Sequence, residues 1–92
     1  MIVECQYEFI SPEGGASILV SGVQGYSPGQ PRKATEWRLT VPDEYAAQFG
    51  GRIEFASLDL ALAALARHFC DKDTAAVEKR LVLNFDDRPS LA

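Results

Sequence analysis

The sequence has few of the residues from which reactive sites are most often built. One histidine, His68, and two cysteines, Cys5 and Cys70, are all that its 92 residues provide. Two cysteines are too few for the disulfide framework of a small secreted domain, so we expect reduced thiols and a cytoplasmic location. These three side chains are the possible histidine and cysteine ligands for a metal ion, and their spacing matches no known metal-binding motif, so no metal site is predicted. No glycine pattern matches a phosphate-binding loop or a dinucleotide fingerprint, so no cofactor is expected.

Long apolar runs and an excess of basic charge are also missing. The longest apolar run, residues 60–66, is far shorter than the roughly 20 residues that cross a bilayer. The first residues alternate like a strand with no signal sequence before them, so we expect no membrane contact. The net charge of −4 argues against direct contact with nucleic acid, since proteins that bind it usually carry a basic excess.

The few reactive side chains are not spaced for catalysis. His68 and Cys70 lie two apart on a predicted helix and point about 200° apart around its axis, so they cannot form a local dyad. Cys5 falls among apolar residues on the inward face of a predicted strand, as a small core residue does. Glu4 and Glu8 are about 13 Å apart along that strand, too far for a glycosidase pair. We therefore predict no catalytic residue and a protein that is not an enzyme.

Strands are predicted where apolar and polar residues alternate. The segments are residues 1–10, 16–23, 35–41, 52–55 and 81–85, and the first two form a hairpin around a proline- and glycine-rich turn. In the first strand, one face is predicted to carry Val3, Cys5, Tyr7 and Phe9, and the other to carry Glu4, Gln6 and Glu8. In the fourth strand, Ile53 and Phe55 are predicted to point inward.

One long helix is predicted to begin at Ser57, a good N-cap, and to end at Cys70. Its inward face carries an apolar stripe with helical spacing, formed by Leu58, Leu62, Leu65 and Phe69. Residues 42–51 predict a two-turn helix, with proline at its start and glycine at its end. Residues 74–80 fit either a short helix or the start of the last strand, and the pattern does not separate these.

The resulting order is β-β-β-short α-β-α-β. Strands followed by a helix and a further strand predict an α+β fold, with a mainly antiparallel sheet of about five strands. One side of this sheet is expected to pack against the long helix. The length fits a single domain over residues 1–86, followed by a flexible C-terminal tail at residues 87–92.

Two surfaces are predicted to bind a partner. The loop at residues 24–33 is rich in glycine and proline and carries Tyr26, Arg32 and Lys33, and tyrosine and arginine are enriched at interface hot spots. The sheet face away from the helix is predicted to be charged and to include Glu4, Glu8, Glu36 and Arg38, with Gln6, Thr40, Arg52 and Glu54 beside them. An edge strand on such a sheet can also pair with a second copy of the chain, so a homodimer is a further possibility.

In general appearance the chain resembles small accessory or inhibitor proteins of phage and mobile elements, which are short, acidic, α+β and without catalytic residues. The first hypothesis is therefore a non-enzymatic protein-binding module that occludes a partner protein. An alternative is a regulatory domain that contacts nucleic acid directly or within a complex, which requires Arg32, Lys33, Arg38 and Arg52 to cluster. A third is an enzyme with its site at a dimer interface.

Overall fold

The computed structural model describes residues 2–24 and 36–87, and it confirms the predicted α+β class. The described residues form a five-stranded antiparallel open sheet and three helices. In chain order, the elements are β1 (Ile2–Phe9), β2 (Ile18–Gln24), β3 (Glu36–Thr40), α1 (Asp43–Phe49), β4 (Glu54–Phe55), α2 (Leu58–Phe69), α3 (Thr74–Glu78) and β5 (Leu81–Asp86).

The strand order in the sheet is β4-β3-β2-β1-β5, and every neighbouring pair is antiparallel. The chain builds the sheet outward from the β1–β2 hairpin and then returns to place β5 beside β1. The segment that the sequence left open is a helix, α3, because the Asp73 carboxylate accepts hydrogen bonds from the backbone N–H groups of Ala75 and Ala76.

The α2 helix confirms the prediction for its apolar stripe. The Ser57 hydroxyl caps the helix by accepting a hydrogen bond from the Leu60 N–H at 3.2 Å. Leu62 and Leu65 are buried in the core, and Leu58 and Phe69 are half-buried against it. Small side chains complete this face, since Ala61 and Ala66 are fully buried as well.

The α1 helix holds the other end of the core. Gly50 ends it in the left-handed conformation, with φ of 56°, as glycine does at helix C-termini. Tyr45 and Phe49 are both buried, and each ring contacts Phe69 of α2, with centroid distances of 5.1 and 6.1 Å. These aromatic contacts fix the position of α1 against α2.

A β-bulge in β1 changes the predicted faces of that strand. Cys5 pairs with Gly22 but Val3 pairs with Val23, so Glu4 is an extra residue between the two pairs. Val3 consequently lies on the opposite face from Cys5 and is exposed, and Glu4 is buried with 8% of its surface exposed. The prediction was wrong at these two positions because strict alternation assumes an unbroken ladder.

The fourth strand also differs from its prediction. β4 contains only Glu54 and Phe55, and Phe55 is half-buried against the core as expected. Ile53 was predicted to point inward, but its side chain is exposed. The Ile53 carbonyl accepts a hydrogen bond from the Leu39 N–H at 2.8 Å, so this residue joins the sheet through its backbone and not through core packing.

Candidate functional site

A groove lies between the C-terminal end of α1, β4 and the outward face of α2. It encloses a volume of about 380 Å³, which is within the range of binding sites for small ligands and short peptide segments. We call it the α2 groove. Its floor is apolar and its rim is polar, and it is lined by Phe49, Arg52, Glu54, Phe55, Ala56, Leu60, Ala63, Ala64, Arg67 and His68.

The groove exists because α2 carries a second stripe with helical spacing. Leu60, Ala63, Ala64 and Arg67 follow one another at intervals that place them on one side of the helix, away from the buried stripe. The two alanines leave space that larger side chains would fill. Leu60 is 53% exposed at one end of this stripe, and Arg67 is exposed at the other.

His68 is held at the rim by an aromatic contact. Its ring lies 4.4 Å from the ring of Phe49, measured between centroids, at an angle of 50°. Phe49 is itself buried and packed against Phe69, so the contact fixes the imidazole on a rigid base. His68 therefore adds an aromatic surface and a polar nitrogen to the groove.

The rim is locally positive although the whole chain is acidic. Arg52 and Arg67 are both exposed, and neither guanidinium group forms a hydrogen bond or an ion pair with any residue that the structure describes. The acidic lining residue, Glu54, is already paired, since its Oε1 lies 3.3 Å from Nη2 of Arg38. Two guanidinium groups thus remain available to an incoming anion, in a chain whose net charge is −4.

This arrangement is suited to binding a carboxylate that is attached to an apolar body. A guanidinium group presents a planar set of N–H donors that matches carboxylate geometry, and two such groups lie on one rim. The apolar floor would bury the rest of the ligand. His68 and Glu54 are the lining residues whose side chains could transfer a proton to or from a ligand. The Glu54 carboxylate already forms an ion pair with Arg38.

The predicted partner-binding residues do not form one surface in the described part of the chain. Tyr26, Arg32 and Lys33 lie outside the described residues. Glu36 and Arg38 are adjacent on the second face of the sheet, which is the face turned away from α2, where they pair with Val23 and Ser21 of β2.

Glu8 lies on that second face as well, opposite Leu19 and Val82, and it is half-buried. Glu4 does not join it, because the bulge in β1 buries Glu4.

The second face is more apolar than the sequence predicted. Val3, Val82 and Phe85 pair with Val23, Glu8 and Gln6 respectively, so all three belong to this face, and all three are exposed. Ser21 and Val23, by contrast, are buried there. Of the charged groups on this face, Glu36 and the Arg38–Glu54 pair lie toward the β4 edge of the sheet, and Glu8 lies in β1.

Sequence reasoning missed the α2 groove because its two arginines come from different elements. Arg52 was assigned to the charged sheet face with Glu54, whereas Arg67 belongs to the predicted long helix and lies outside its apolar stripe. The available signal was the second stripe on α2, from Leu60 to Arg67, which has helical spacing but small side chains.

Within residues 2–24 and 36–87, no three side chains of His, Cys, Asp or Glu lie close enough together to hold a metal ion. None of the helices described above is long and apolar enough to cross a bilayer. Comparisons with protein families, curated proteins and solved structures find no significant match to this chain. The fold and the groove therefore define the molecule only as a small α+β protein with an open antiparallel sheet and a cationic groove.

Proposed function

We propose that this chain is a non-enzymatic protein-binding module, an inhibitor or accessory factor that takes an acidic, partly apolar segment of a partner protein into the α2 groove. The observation that carries the proposal is a pair of arginines, Arg52 and Arg67, that lie above an apolar floor and are paired with no described carboxylate. Arginine is enriched at binding hot spots because it combines charge, planar donors and apolar area. While the segment is bound in the α2 groove, it would be unable to contact other proteins.

The proposal places this activity in the cytoplasm. Neither cysteine is in a disulfide, with Cys5 buried and Cys70 half-buried, as is common where thiols stay reduced. It also moves the binding surface away from the loop at residues 24–33 and the second face of the sheet. The groove offers a concave floor for apolar side chains, and a flat mixed face does not.

The test is a comparison of three versions of the chain as bait in an extract of its native cells. The first is the wild type, and the second reverses both groove charges with Arg52→Glu and Arg67→Glu. The third is a matched control, Lys72→Glu with Lys79→Glu, which changes the net charge equally at exposed residues that do not line the groove. Quantitative mass spectrometry then measures which proteins each bait retains.

We expect at least one protein to be retained by the wild type and by the lysine control and to be lost from the arginine variant. A synthetic acidic segment of that protein should then bind at least about tenfold more weakly to the arginine variant, since a hydrogen bond to a charged group contributes about 1.5–3 kcal/mol. If the three baits retain the same proteins, or none above an empty matrix, the groove is not a protein-binding site.

A further inference from the structure

In the part of the chain that the structure describes, the outer side of β5 is an open strand edge. β5 is the last strand in the sheet order, and among the described residues it pairs only with β1. Three of its large apolar side chains are exposed, Val82 at 46%, Leu83 at 53% and Phe85 at 36%. An unpaired edge with exposed apolar residues is a template for pairing with another strand.

The two edges of the sheet are protected to different degrees. β4, at the opposite edge, has only two residues, and one of them is the charged Glu54. β5 has six residues, and residues 81–85 carry no charge. Short or charged edge strands resist pairing with other chains, so β5 is the edge that is suited to it.

A bulge in β5 changes which side chains of the strand share a face. Val82 and Phe85 are three apart and would lie on opposite faces of a regular strand. Here they pair with Glu8 and Gln6, which are two apart in β1, so Val82 and Phe85 share the second face of the sheet. The register shift thus places two exposed apolar side chains on one face, separated along the strand.

We propose that β5 pairs antiparallel with β5 of a second copy of this chain, so that one continuous sheet runs through both copies. In the register that we propose, Val82 lies opposite Phe85 of the other copy, and this apolar pair occurs twice about the two-fold axis. Arg80 lies opposite Asp87 of the other copy, and this ion pair also occurs twice. The strand is therefore complementary to itself at these four pairs, and the same register sets Asp86 opposite Leu81 of the other copy.

Other registers lose this complementarity. Sliding the strands by two residues in one direction places Val82 opposite Asp87, and sliding them in the other places Arg80 opposite Phe85. A parallel arrangement in register would place Arg80 against Arg80. Each of these alternatives breaks both the Val82–Phe85 pairs and the Arg80–Asp87 pairs, which disfavours it.

The groups that would form the ion pairs are accessible. Arg80 and Asp87 are both exposed. Arg80 donates one long hydrogen bond from Nη1 to the Ile10 carbonyl at 3.5 Å, and the other guanidinium donors remain for a carboxylate. Asp87 uses its backbone N–H to bond to the Glu4 carbonyl, which fixes the end of β5 and leaves the carboxylate for the second copy.

One strand from each copy makes a small interface, in the size range of weak and transient contacts. We therefore expect a dissociation constant in the micromolar range, so that the dimer forms and separates with concentration. This inference does not rest on the proposed function, because β5 and the α2 groove share no residue.

The test uses sedimentation equilibrium of the full chain over a range of concentrations, with charge reversals at the two ends of β5. Arg80→Asp and Asp87→Arg alone should each weaken dimerisation by about tenfold, because each change creates two repulsive pairs per dimer. In the double variant the two charges change places, so opposite charges again face each other across the dimer contact. This variant should recover the wild-type dissociation constant. Circular dichroism of each variant establishes that the fold is retained.

A second variant tests the apolar pair without changing the ends of the strand. Val82→Lys places a charge in the middle of the edge and should abolish the dimer. Leu60→Lys is the control, since Leu60 lies on α2 and is exposed to a similar degree, 53% against 46% for Val82. A wild-type chain that stays monomeric up to about 1 mM would overturn the proposal. So would a dimer that is insensitive to Val82→Lys, or one whose single reversals are not rescued by the double variant.

Discussion

Replacing Leu65 with alanine measures how far α2 anchors the core. Leu65 is fully buried, in one cluster with side chains of the sheet and of α1. Leu60 lies on the same helix, five residues earlier, and is 53% exposed. Leu65→Ala and Leu60→Ala therefore delete the same atoms from the same helix and differ mainly in the burial of the site.

The expected difference is large relative to the stability of so small a protein. Removing a fully buried leucine leaves a cavity and costs about 3–4 kcal/mol. Proteins have about 0.05–0.15 kcal/mol of stability per residue, which for 92 residues is about 5–14 kcal/mol. Leu65→Ala should therefore remove between a quarter and most of the free energy of unfolding. Leu60→Ala should change it by less than about 0.5 kcal/mol, as surface substitutions usually do.

Urea unfolding monitored by tryptophan fluorescence measures both effects. Trp37 is the only tryptophan and is buried in β3, one of the strands on which α2 packs. With a urea dependence of about 1 kcal/mol per molar, Leu65→Ala should lower the unfolding midpoint by about 3 M or abolish the folded baseline. Equal midpoints for the two variants, or a cost below about 1 kcal/mol for Leu65→Ala, would contradict the packing of α2 described above.

Two further predictions concern close packing and access to the core. Gly15→Ala should destabilise the fold by about 1–3 kcal/mol, because the added Cβ would collide with the Tyr45 hydroxyl, and the loss measured by urea unfolding should be smaller in a Tyr45→Phe background. A Gly15→Ala loss that is unchanged by Tyr45→Phe would refute this contact. In thiol-labelling experiments on the folded chain, half-buried Cys70 should react well before fully buried Cys5, which should react only as the protein unfolds.

The sequence predicted those parts of the fold that depend on local periodicity. α2 was predicted with its N-cap and its apolar stripe, because the spacing of its leucines is a property of one segment. The strands were predicted for the same reason. The strand order was not, since the position of β5 beside β1 depends on contacts between segments that are far apart in the chain.

The errors share that cause. Val3 and Glu4 exchange their expected environments because β1 bulges where it meets Gly22 of β2, and the sequence of β1 alone does not reveal its partner. The α2 groove was missed because Arg52 and Arg67 meet only when β4 is placed beside α2. A prediction from alternation gives the face of a residue only while the ladder remains regular.

The positions of the two proposed surfaces suggest how they would work together. The α2 groove includes β4 and the proposed dimer contact is β5, and these strands form the opposite edges of the sheet. With five strands about 4.8 Å apart, the two edges are separated by about 19 Å, so pairing through β5 would leave both grooves open. A dimer would then present two identical grooves at its outer ends. Because a bivalent protein binds a repeated or dimeric partner more tightly than either groove alone, β5 pairing would raise the apparent affinity without adding a contact in the groove.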